Sequence, residues 1–80
     1  MIPTAKRISA ARRLIEKQRA NIAFYKERVK IQALPGYNPI FPSGIIERQY
    51  YPLDIQMAEN RLKEYYRILG ECQAIQNQSK

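Results

Sequence analysis

Two stretches of this chain set apolar or small residues at alternating spacings of three and four, and a proline- and glycine-rich segment holds the stretches apart. In the first, Ile8, Ala11, Ile15, Gln18, Ile22, Tyr25, Val29 and Gln32 keep the pattern. In the second, Ile55, Ala58, Leu62, Tyr65, Leu69 and Cys72 keep it, with Gln76 beyond. Such spacing collects side chains on one stripe of an α-helix. Two stripes on one short chain bury each other best by packing together. The expected fold is therefore mainly α, with two long helices packed as an antiparallel hairpin.

The boundaries follow from local chemistry. The chain reads as a single domain, residues 1–80, with helix 1 over about 4–34, a central Pro/Gly/Tyr-rich segment over 35–52, and helix 2 over about 53–77. Thr4 suits an N-cap with Pro3 before it, and Pro35 bars continuation. Pro52 suits a first helical position, and Asp54 puts an acid in the first turn. Gly70 either ends helix 2 or sits inside it at a cost of about 1 kcal/mol. One local pattern has two solutions: Arg28-Val29-Lys30-Ile31-Gln32-Ala33 also alternates as a half-buried strand does, and Ile45–Tyr51 is β-branched and aromatic enough to pair with it. The centre therefore reads either as helix plus loop or as a short β-hairpin.

Length now constrains function. A chain of 80 residues buries little more than ~60% of its unfolded surface, so other stabilisation is needed. Cys72 is the sole cysteine, which excludes an internal disulfide and marks it as a small packing residue. Without histidine, the usual zinc ligand sets cannot be assembled. No cofactor or metal is expected. Each helix also carries apolar residues off its stripe: Ala10, Leu14, Phe24 and Ile31 on the first, Met57, Tyr66, Ile68 and Ile75 on the second. A lone hairpin cannot cover them, so other protein subunits, in a self- or hetero-oligomer, are the expected partners.

Catalysis has few components here. The usual base for a serine or cysteine nucleophile is absent. Glu59 and Glu64 are spaced to pair with Lys63 and Arg67 on the helix surface. No glycine-rich phosphate loop or small-molecule site is visible. A non-catalytic role is expected.

Charge is the most asymmetric feature. Residues 1–34 carry net +7 and the remainder nets to zero. Lys6, Arg7, Arg12, Arg13, Lys17 and Arg19 face only Glu16 in the first half of helix 1. These six are the candidate contact for an acidic protein surface or nucleic acid. Arginine predominates, which suits bidentate contacts to carboxylate or phosphate. The competing expectation is a solvated, solubilising face. The same stretch has the composition of a transit peptide, but the apolar spacing runs through it unbroken. A membrane-spanning helix is not expected, because prolines and glycines interrupt the uncharged run Ile31–Ile46. Tyrosine in place of tryptophan and the lack of a clean basic/apolar split count against a membrane-surface helix. The lone reduced cysteine suits an intracellular (cytoplasmic) or virion setting rather than secretion.

The central segment is too apolar for a flexible linker. Ile40, Phe41, Ile45 and Ile46 either fold back over the helix ends or enter a partner. Tyr37, Tyr50 and Tyr51 add area of the kind enriched at interfaces. These seven are the candidate apolar interface. Taken with a central hairpin, the stretch Ala10-Ala11-Arg12-Arg13-Leu14, Gly44 before a second strand, the opening Tyr50-Tyr51-Pro52-Leu53-Asp54 and the helix Leu62–Leu69 resemble the small head–tail joining (connector) proteins of tailed phages. That resemblance implies a structural subunit of a virus particle. A small nucleic-acid-binding regulatory protein is the alternative.

Overall fold

The computed structural model describes residues 3–78 and resolves them into α1 (Thr4–Gln32), a connecting loop, and α2 (Pro52–Gln78). The helices pack against each other as a helical hairpin, and the contacts run in reverse order along them. Arg7, Ala11 and Leu14 lie beside Ile68, Cys72 and Ile75, whereas Lys26 reaches Glu59.

The core consists of the two stripes. Ile8, Ala11, Ile15, Gln18 and Ile22 are buried on α1, and Ala58 and Cys72 on α2. Tyr25, Val29, Gln32, Ile55, Leu62, Tyr65 and Leu69 complete the stripes half-buried, while Gln76 is exposed. Ala11 and Ala58 let the backbones approach, and at Ala58 the gap is closed by the Gln18 amide, whose Nε2 donates to the Ala58 carbonyl at 3.2 Å. No large side chain among the described residues is fully buried. The shape explains this: one layer of helices, 59 × 23 × 14 Å. Its radius of gyration is 18.0 Å, against about 12 Å for a compact domain of this length.

The helix ends depart from expectation at several points. Thr4 is the first helical residue rather than the cap. Pro3 holds the cap position at φ −58° with no side-chain hydrogen bond, and its carbonyl accepts from the Lys6 and Arg7 amides at 3.0 and 3.1 Å. The proline ring already fixes a φ that leads into the first turn. At the other end α1 stops at Gln32, two residues short. The Leu34 amide closes a tight turn on the Ile31 carbonyl at 3.1 Å, and Gly36, at φ +78°, reverses the chain. Tyr51 caps α2: its amide donates to Asp54 Oδ2 at 2.8 Å, one half of a capping box. The Tyr51 amide, followed by Arg48, holds the Asp54 carboxyl below its usual range. Gly70 lies inside α2.

The pairing of 28–33 with 45–51 does not form. Residues 28–32 are helical, because Val29 and Gln32 continue the stripe. Among the described residues the only β pairing is an isolated antiparallel bridge, Ile40–Ile46. Glu59 turns across the hairpin to Lys26, at 3.8 Å, rather than along its own helix to Lys63. Arg67 does pair with Glu64, and with Glu71 as well. Among the described residues, no helix is long and apolar enough to cross a membrane.

Candidate functional site

The six bases lie in the first half of α1, on the half of the rod away from the loop. Lys6, Arg7, Arg12, Arg13, Lys17 and Arg19 are all exposed, and none joins a salt bridge among the described residues. Helical spacing distributes them over three faces. Lys6 and Arg13, seven residues apart, point outward with Lys17 and border a depression with Ser9 and Ala10. Arg12 and Arg19 flank the stripe on one side. Arg7 lies on the other side, at the edge of a groove between the helices. The set covers about 20 Å of helix, so it wraps the solvent-facing sides of the first half of α1 rather than forming one flat patch.

The loop forms the opposite end and has two layers. Polar and aromatic contacts build the inner one. Arg28 makes an ion pair with Glu47 and donates to the Tyr37 hydroxyl at 2.9 Å. Gln32 grips the loop twice: its Nε2 donates to the Arg48 carbonyl at 2.9 Å and its Oε1 accepts from the Tyr50 amide at 2.8 Å. Tyr50 stacks on Tyr25 at 5.4 Å and meets Phe24 edge-on at 5.6 Å. Arg48 lies 4.4 Å from the Tyr50 ring centroid and pairs with Asp54 at 3.0 Å.

The outer layer is the tip. The Phe41 amide donates to the Ile45 carbonyl at 2.9 Å, the Gly44 amide to the Phe41 carbonyl at 2.8 Å, and the Glu47 amide to the Pro39 carbonyl at 2.7 Å. Gly44 stands at φ +84°, a value that favours glycine. This backbone presents Ile40, Phe41, Ile45 and Ile46 to solvent, 46–70% exposed. They do not fold back over the helix ends. The seven candidate interface residues therefore divide: Tyr37 and Tyr50 are half-buried in the inner layer, while Tyr51 stays exposed with the tip.

Sequence reasoning missed Arg28, Gln32 and Glu47 as the residues that hold the loop. A signal was present, since Gln32 is polar on the stripe and Glu47 is the sole acid of the central segment. Off the stripes, Ala10, Leu14, Phe24, Met57, Tyr66, Ile68 and Ile75 are exposed, and Ile31 is half-buried. Two grooves run between the helices. One, of about 320 Å³, is lined by Arg7, Ala10, Leu14, Ile68, Glu71 and Ile75 among others. The other, of about 410 Å³, is lined by Arg19, Ile22, Ala23, Lys26, Glu59 and Leu62. Among the described residues, no cluster of His, Cys, Asp and Glu has the grouping to hold a metal ion. No protein-family model, curated protein or solved structure matches this chain.

Proposed function

We propose that this chain is a non-catalytic adaptor subunit of a larger assembly, an antiparallel helical hairpin that joins an acidic surface at one end to an apolar pocket at the other. One observation carries the reading: the two ends of a 59 Å rod bear unlike and exposed chemistry. At the basic end, six exposed cations lack ion pairs among the described residues, so they are available to carboxylates. At the loop end, exposed isoleucines and a phenylalanine stand on a hydrogen-bonded turn, which lowers the entropy lost when they enter a pocket. The thin core supports the same reading, since off-stripe apolar residues stay uncovered in the isolated chain. The resemblance to head–tail joining proteins makes a phage-type particle the most specific version, although the central strand pairing implied by that resemblance is absent among the described residues.

The test replaces Arg12, Arg13, Lys17 and Arg19 together with glutamine, which keeps helix propensity nearly unchanged. Helical circular dichroism should survive. Binding to polyglutamate, a stand-in for an acidic protein surface, should fall steeply, and wild-type binding should weaken as salt rises from about 50 to 200 mM. If the quadruple variant binds as wild type does at low salt, the basic end is only a solubilising face. If wild type binds duplex DNA tightly at physiological salt and ignores polyglutamate, the regulatory alternative replaces the adaptor.

A further inference from the structure

The groove lined by Ala10, Leu14, Ile68 and Ile75 lies between the start of α1 and the end of α2, in the half of the rod away from the loop, and its two edges carry opposite charge. On the α1 edge, Arg7 is exposed and joins no salt bridge among the described residues. On the α2 edge, Glu71 lines the groove and shares a single cation, Arg67, with Glu64. That triad retains a net negative charge. Between the edges, Leu14 is 45% and Ile68 37% exposed, close to the cysteine that closes the core beneath them.

We infer that a second copy of this chain covers this groove, pairing two hairpins face to face into a four-helix bundle. The charges select the arrangement. A twofold axis in the interface, parallel to the helices, sets α1 of each copy over α2 of the other at the same level. Arg7 then meets Glu71 of the second copy, twice by symmetry, and Leu14 lies over Ile68 of the second copy about two turns further along. A perpendicular axis would instead stack α1 on α1 and bring the two cation-rich helices together, which costs repulsion. The apolar centre and charged edges match the anatomy of a protein interface. The pairing shares Arg7 with the proposed acidic contact, but Arg12, Arg13, Lys17 and Arg19, the four residues replaced in the test of that contact, do not line the groove, so the two readings can fail separately.

A charge exchange tests the pairing on the full chain by sedimentation velocity and light scattering. Wild type should show twice the 9.4 kDa chain mass. Arg7→Glu gives two carboxylates facing each other at both symmetric contacts, and Glu71→Arg gives two cations. Each variant alone should be monomeric or dissociate at least about tenfold more readily, with helical circular dichroism retained. Mixed one to one, the two variants should recover the dimer, because each of the two contacts then sets a carboxylate against a guanidinium again. A pair internal to one hairpin could not be restored by mixing. Leu14→Gln, an exposed change that leaves the core intact, should also give monomers. The inference is overturned if wild type is monomeric at millimolar concentration, if Leu14→Gln or either charge variant associates as wild type does, or if the mixture stays monomeric.

Discussion

Glu47→Ala should loosen the loop and destabilise the whole hairpin, although residue 47 lies outside both helices. The Glu47 side chain is 10% exposed, and that of its partner Arg28 22%. Removing the carboxylate leaves a largely buried guanidinium with Tyr37 as its remaining side-chain partner. Breaking a fully buried pair costs about 3–5 kcal/mol. Arg28 keeps some access to water, so a loss of about 2 kcal/mol is expected, within the range for stranding one polar group. For a domain of this size each kcal/mol moves Tm by about 4–8 °C, so Tm should drop by about 8–16 °C. The loop also carries Tyr50 onto Tyr25, and near-ultraviolet tyrosine circular dichroism should weaken along with the melting point. Glu59→Ala is the control, since it removes only the exposed 3.8 Å pair with Lys26 and should shift Tm little. A Glu47→Ala protein that melts together with Glu59→Ala would refute the argument, because Arg28 would then gain nothing from its burial beside a carboxylate.

Two glycines should respond with opposite signs in urea unfolding. Gly70→Ala adds a Cβ that meets nothing within 4 Å inside α2 and should stabilise by about 0.8–1 kcal/mol. Gly44→Ala, at φ +84°, should destabilise by about 1–2 kcal/mol, and shifts of the same sign would contradict the backbone described here. The Asp54 carboxyl is held below its ordinary value of 3.8 by the Tyr51 amide and then by Arg48. Its contribution is therefore whole above about pH 5 and disappears as pH falls through the folded-state value. Asp54→Asn should flatten the acid side of a Tm–pH profile below about pH 5, whereas profiles parallel to wild type would deny Asp54 that role.

The core was legible because helical spacing leaves little freedom. All seven buried side chains among the described residues lie on the two stripes read from the sequence. The alternation through Arg28–Ala33 was ambiguous because Val29 and Ile31 satisfy a strand period locally, whereas Val29 and Gln32 satisfy the helix period over the full length. The longer pattern prevailed. Apolarity showed that Ile40, Phe41, Ile45 and Ile46 mattered but carried no information about direction. Their exposure depends on the turn at Gly44 and on Arg28, Gln32 and Glu47 fastening the loop's base, contacts up to 19 residues apart that no local pattern reveals. The cap at Pro3 was missed because threonine is the better cap by side chain, while backbone geometry already favoured the proline.

The buried Gln18 amide has a further consequence, for which pairings of the two helices are allowed. Stripes that repeat every seven residues can slide past one another by one repeat and still match apolar to apolar, which leaves a smooth hairpin with several near-equivalent alignments. Gln18 finds the Ala58 carbonyl, beside a residue small enough to admit it, in one alignment. A shifted hairpin would seal the amide against bulkier neighbours without an acceptor, at a cost of about 1–3 kcal/mol. A polar side chain that adds little to stability thus fixes the register, and with it the distance at which the rod holds its two ends apart.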